Sequence, residues 1–150
     1  MVATLYLAHN FLTRKNMRKW ELGIEGKYNI NLDNPFYDNP ARAEEMKILD
    51  SYKDASRQQR DYLSSRSSSS IVEDDLEKIR KSDGIVTVIS NASIGTPMEV
   101  FFAARILRIP VYVVTKKYAS HPWIVEHAAK IFADRKTLEQ FLKQKYGAKR

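Results

Sequence analysis

Nearly unbroken apolar runs alternate along the chain with stretches in which apolar residues recur every three or four positions. The first kind predicts strands buried on both faces, and the second predicts amphipathic helices. VATLYLA at 2–8 is rich in β-formers and predicts a strand. Thr13, Met17, Trp20 and Ile24 then recur at helical spacing, which predicts a helix over 11–26 with Gly26 suited to its end. A short strand is expected at 28–32. Residues 34–40 hold two prolines and three Asn/Asp, which is turn chemistry. Residues 41–62 are polar and expected to be helical. Six of the seven residues 64–70 are serine, which suggests a mobile loop inside one domain spanning 1–150.

The second half repeats the pattern more sharply. A helix is expected over 71–81, with Ser70 and Glu73 at capping-box spacing. Strands are expected at 84–90, 109–115 and 130–133. Helices are expected at 97–107, opened by Thr96 and Pro97, near 123–128, and at 135–146 with Leu138, Phe141 and Leu142. This order predicts an α/β fold, a doubly wound parallel sheet of about five strands with helices on both faces. Ligands of such sheets bind beyond the carboxyl ends of the strands. The segments to inspect are therefore Tyr6–Phe11, Asn34–Asn39, Asn91–Glu99 and Lys116–Trp123.

Composition narrows the chemistry. The chain has no cysteine, which removes disulfides, thiolate zinc sites and cysteine nucleophiles. No stretch approaches the ~18 apolar residues of a membrane span, and the N-terminus lacks a charged signal start. A cytoplasmic protein with no membrane partner is expected. The net charge is +7, and residues 134–150 carry six Lys/Arg against two acids. Runs like this usually face solvent. The interleaved aromatics and reader motifs of a nucleic-acid binder are missing, so no nucleic-acid partner is expected. None of His9, His121 and His127 falls at a trusted metal-ligand spacing, and the last two are expected at the surface.

Ser90–Glu99 reads as a strand end, a small-residue loop and a helix start, where Gly95 would allow close backbone approach. Glu99 has two readings. With Thr96 it has the spacing of a capping box, but it also stands in the first turn of a helix that opens where ligands bind, beside apolar neighbours. Asp75 shares a helix face with Val72 and Ile79, whereas Asp74 is expected to face solvent. Asp75 is either a first-turn acid favoured by the helix dipole or a group with a chemical task. Tyr6 is a core aromatic or a site residue, and His9 follows a strand and could touch ligand.

Tyr6-Leu7-Ala8, then Asp74-Asp75-Leu76-Glu77-Lys78-Ile79 before Ser82-Asp83, then Gly95-Thr96-Pro97-Met98-Glu99 occur in that order. In this the chain resembles the nucleoside 2-deoxyribosyltransferase family, whose wider group includes the 2'-deoxynucleoside 5'-phosphate N-hydrolases. The resemblance implies a flavodoxin-like sheet and cleavage of an N-glycosidic bond without metal or organic cofactor. It implies Glu99 as nucleophile, Asp75 as the acid at the base, and Tyr6 as the group that orients Glu99. The transferases carry an aspartate where this chain has Ser93. The hydrolases have a phosphate-binding serine there, and a further serine where this chain has Asn10. The implied ligands are a nucleoside or nucleoside 5'-monophosphate and a free base. Phe11, Asp38 and Asn39 are expected near the base, with ordinary turn chemistry the other reading of Asp38 and Asn39; Met98, beside Glu99, is expected near substrate. The helix 97–107 is apolar nearly all round, which predicts a homodimer or higher homo-oligomer packed through it.

Overall fold

A computed structural model describes residues 1–38, 46, 47, 50, 51, 54, 57, 68–91 and 93–150. Five strands form one sheet in the order β2-β1-β3-β4-β5, every pair parallel. They are β1 (Ala3–Ala8), β2 (Ile30–Asp33), β3 (Gly84–Val88), β4 (Val111–Val114) and β5 (Lys130–Phe132). The helices are α1 (Arg14–Glu25, preceded by a 3-10 turn at Phe11–Thr13), α2 (Ser68–Arg80), α3 (Gly95–Phe101), α4 (Pro122–His127) and α5 (Arg135–Tyr146). This strand order is the flavodoxin-like one. The chain winds one way from β1 to β2 and the other way from β3 onward, so the topological switch lies between β1 and β3.

Strand alternation divides the core. Leu5, Leu7, Val86 and Val114 point to one face and pack with Met17 and Ile24 of α1 and with Leu138 and Leu142 of α5. Tyr6, Ala8, Ile85 and Val113 point to the other and pack with Ile79 of α2, Val100 of α3 and Ile124 of α4. Gly84 opens β3 where a Cβ would stand 2.9 Å from the Pro110 carbonyl, so the close approach of β3 to the β4 entry requires glycine.

Several boundaries differ from the sequence expectation, each for a hydrogen-bonding reason. Tyr28 and Asn29 are not in β2, because their N–H groups donate to Ile24 and Gly147 instead. The second helix begins at Ser68, so Ser70 lies inside it rather than at its start, and Asp75 stands beyond its first turn rather than in it. Val72 is 51% exposed and does not mark a core face, and Asp74 is half-buried rather than turned to solvent. α3 begins at Gly95 with Ile94 as its cap residue and no side-chain cap, so the Thr96–Glu99 capping box does not form. Beyond Phe101 the helix widens into a π-helical turn, Phe102–Leu107. Arg108 ends it in the left-handed conformation (φ 57°), and Ile109 N–H closes onto the Ala103 carbonyl at 3.1 Å. Met46 and Lys47 are helical, as expected of 41–62, while most of that segment and residues 64–67 of the serine run lie outside the described residues.

Candidate active site

Three elements meet at the β1/β3 switch. Tyr6 is fully buried on the face covered by α2 and α3, and a buried phenol needs a hydrogen-bond partner. It finds one on α3. Thr96, Val100 and Ala103 turn to the sheet, Glu99 flanks them half-buried, and Tyr6 Oη donates to Glu99 Oε1 at 2.9 Å. This bond orients one oxygen of the Glu99 carboxylate. Asp75 is half-buried on α2, the helix that lies over the same face.

An ion pair that the sequence reading missed stands beside them. Asp33 is paired in register with Tyr6 across β1 and β2, so the two side chains share a face. Lys78 Nζ donates to Asp33 Oδ1 at 2.5 Å. Lys78 lies one helical turn after Asp75, so a cation already compensated by Asp33 is placed next to the candidate acid. Reading β2 one residue longer would have put Asp33 at a carboxyl strand end, where it could have been found.

On the β2 side of the switch lies a closed polar network. Glu21 of α1 is fully buried. It accepts from Arg18 at 2.7 Å and from Asn34 Nδ2 at 2.8 Å. Asn34 Oδ1 accepts from Phe36 N–H, and His9 Nε2 lies 3.2 Å from it. Burial pushes the Glu21 carboxyl up to about 7. Burial likewise pushes the His9 imidazole down to about 4. His9 is therefore a neutral buried ring packed on Phe36. Phe11 is buried against Phe36 and Met46, with the Arg14 guanidinium over its ring at 3.9 Å. Asp38 accepts from Asn34 N–H at 2.6 Å and pairs with Arg18 at 3.0 Å, both of them turn-fixing contacts. Asn39 lies outside the described residues.

On the β4 side lies a cavity of about 340 Å³ between α3 and α4. Asn10, Asn91, Ser93 and Thr96 are its polar wall, while Phe101 and Trp123 contribute aromatic surface. Ser93 and Asn10, far apart in sequence, are thus brought together, with Asn10 Oδ1 also capping the turn before α1 through Thr13 N–H. Gly95 is exposed, and a Cβ there would meet no protein atom within 4 Å. Met98 is 66% exposed and does not line the cavity. His127, expected at the surface, is 7% exposed because Trp123 stacks on it at 5.5 Å and Arg105 bonds its Nε2. His121 is exposed as expected. Among the described residues no group of three or more His, Asp or Glu could hold a metal ion, and no helix is long and apolar enough to cross a membrane.

No family model and no curated protein sequence matches the chain. A solved structure does. It is a 2-deoxyribosyltransferase from the psychrotolerant bacterium Bacillus psychrosaccharolyticus, matched with a TM-score of 0.61 at 22% identity over 91% of this chain and 90% of that one. The fold is that of a 2-deoxyribosyltransferase. The likeness runs through nearly the whole chain, so the switch point and the elements around it belong to the shared fold.

Proposed function

We propose that this protein cleaves the N-glycosidic bond of a (deoxy)nucleoside through a covalent glycosyl–Glu99 intermediate and passes the sugar to another base or to water. The observation that carries this reading is the Tyr6–Glu99 hydrogen bond of 2.9 Å at the β1/β3 switch. It orients the Glu99 carboxylate for attack on the anomeric carbon. Asp75 supplies the proton that the departing base needs, and the sugar is held as an ester of Glu99. In the second step a base or water, losing a proton to Asp75, attacks from the face that the first base left and displaces Glu99. Two displacements retain configuration, which is the logic of paired carboxylates at glycosidic centres.

The similar structure's name, 2-deoxyribosyltransferase, supports this reading over a module that merely binds nucleotides. The second reading, hydrolysis of a 5'-monophosphate, draws on Ser93 and Asn10 meeting at one wall of the cavity. The test is direct. Deoxynucleosides and their monophosphates are incubated with and without a second free base, and released or exchanged base is measured. Loss of release in Glu99→Gln with the fold intact, and a sugar adduct on Glu99 seen by mass spectrometry, are the expected results. A protein that turns over none of them fails the proposal.

The working form we propose is a homo-oligomer. Ile94, Met98, Phe101, Ile106, Trp123 and Val125 are all more than two-fifths exposed on α3, its π-helical extension and α4. A second copy over this face would close the open side of the cavity. A monomeric mass at micromolar concentration excludes it.

A further inference from the structure

We infer that the groove between α1 and α5, on the face of the sheet opposite Glu99, binds single-stranded nucleic acid, with its cations on successive phosphates and Trp20 against a base. The inference does not depend on the glycosyl-transfer reading.

The two helices lie side by side and parallel over Leu5, Leu7 and Val86. Near their starts, Arg135 Nη2 donates to Asn16 Oδ1 at 2.5 Å. One turn on, Trp20 Nε1 donates to Glu139 Oε1 at 3.0 Å. Beyond their ends, Lys149 N–H donates to the Lys27 carbonyl at 2.8 Å. Between them runs a groove of about 360 Å³, with Lys19, Trp20, Gly23 and Lys27 on one wall and Arg135 and Glu139 on the other. Lys143 is exposed one turn beyond Glu139, on the row that begins at Arg135. Positions 135 and 143 stand about 12 Å apart along α5, at 1.5 Å per residue. The groove thus has cations toward both ends and an indole between them.

The acids of these two helices have other tasks. Glu21 is buried with Arg18 and Asn34, and Glu25 Oε1 accepts from Leu32 N–H at 2.6 Å. Asp134 caps α5 through Thr137 N–H, and Glu139 is held by Trp20. Among the described residues Lys19, Lys27 and Lys143 form no ion pair. The positive charge of this face is therefore left for an outside polyanion. Its length suits the repeating phosphates of a strand, since a single nucleotide could not reach both ends. Trp20 decides for a strand over an acidic peptide. The Arg135 guanidinium lies over its ring at 5.4 Å, and unpaired bases stack on such surfaces whereas carboxylates do not. Gly23 is exposed one turn after Trp20, and a Cβ there would meet no atom within 4 Å. Glycine inside a helix weakens it, and here it leaves the floor of the groove open beside the indole. The sequence reading took the basic run at 134–150 for a solvated face and expected no nucleic-acid partner. The docking of α5 on α1 joins that run to the cations of α1 around Trp20.

The test is a titration of a fluorescein-labelled oligothymidylate of about 20 nucleotides with the full chain, read by anisotropy. Binding should weaken with salt at a log–log slope of about −3, four phosphates at about −0.7 each. Lys19→Gln combined with Lys143→Gln should weaken binding at least tenfold, halve the slope and leave base release unchanged. Lys81→Gln, on the opposite face, should change neither. An equal loss in Lys81→Gln means diffuse attraction and overturns the inference, as does a strand that does not bind at low salt. In Trp123→Phe protein Trp20 is the one tryptophan left, and its emission should be quenched by the strand; unchanged emission overturns the inference. Gly23→Gln fills the floor with a better helix former, so it should raise the melting temperature and weaken binding at least fivefold. Undiminished binding by this variant removes the groove as the site. Excess thymidine should not displace the strand; displacement assigns the binding to the glycosyl site instead. A polyglutamate of equal length should compete at least tenfold more weakly than unlabelled strand, and equal competition overturns the inference in favour of an acidic chain.

Discussion

The two sides of the β1/β3 switch solve opposite problems. On the β2 side, Arg18, Glu21, Asn34 and Asp38 bond one another and His9 meets Asn34, so the polar groups there are answered within the protein. On the β4 side the cavity is open, and Phe101 and Trp123 in its wall are 43% and 64% exposed. A closed polar network makes one conformation unique. An apolar hollow with a few neutral donors is incomplete until something fills it. The Tyr6–Glu99 pair stands between them, at the switch, on the face covered by α2 and α3. Substitutions on the β2 side should accordingly be read in stability, those on the β4 side in ligand affinity, and those at the boundary in turnover.

The largest effect is expected at the boundary. Glu99→Gln keeps size and hydrogen bonding but removes the nucleophile, and base release should fall by about three orders of magnitude or more with the melting curve unchanged. Tyr6→Phe removes one bond to a carboxylate, worth roughly 1.5–3 kcal/mol, so release should fall about ten- to a hundredfold. Equal turnover in both variants and wild type would place the chemistry elsewhere.

Next comes the closed side. Glu21→Ala leaves Arg18 and Asn34 without their buried partner, and should cost about 3–5 kcal/mol in denaturant unfolding. A cost below about 1 kcal/mol would mean that the network is not what holds the turn after β2.

The two shifted groups of that network give a pH test. Glu21 is raised to about 7, so the stability it contributes is full below the ordinary glutamate value and is lost as pH rises to about 7. His9 is lowered to about 4, so its contribution is full above the ordinary histidine value of 6.5 and is lost as pH falls toward 4. Each is worth on the order of 3 kcal/mol and the slopes oppose. Stability between pH 4.5 and 7 should therefore be nearly flat in the wild type. It should rise with pH in Glu21→Gln and fall with pH in His9→Gln. Parallel curves for the three proteins would show that neither group is titrating as described.

The smallest effect concerns a buried hydroxyl under α3. Thr87 Oγ1 is buried and has no hydrogen-bond partner among the described residues. Thr87→Val keeps the shape and removes the unpaired group, and should stabilise by about 1 kcal/mol without changing base release. A loss of release would bring Thr87 into the site.

Much of the architecture could be read along the chain. The switches between period two and period 3.6 located the strands and most helices, because burial on a sheet or under a helix imposes those periods on any sequence. The site was readable only in part. Tyr6 stood out because it lies near a carboxyl strand end, where the fold class concentrates chemistry, and Glu99 and Asp75 because the expected helix starts put them in first turns, although α3 and α2 begin earlier, at Gly95 and Ser68. Asp33 and Lys78 escaped, since neither has a local pattern and their meeting depends on how β2 pairs with β1 and how α2 lies over both. Nor did any local pattern show that the Arg14 guanidinium lies over the Phe11 ring.

By itself, then, the sequence determined the alternation of elements, the doubly wound class and the strand ends at which to look. These follow from local periodicity and from the need to bury apolar faces. Only the tertiary structure decided what Glu99 does with its carboxylate. Local spacing offered it a capping box with Thr96, but α3 starts at Gly95, a step too early for that box. The buried Tyr6 hydroxyl, 93 residues away along the chain, takes the carboxylate instead. A buried donor without a partner costs more than an exposed helix end left to water. That difference in cost exists only once the sheet has placed Tyr6 beneath the helix.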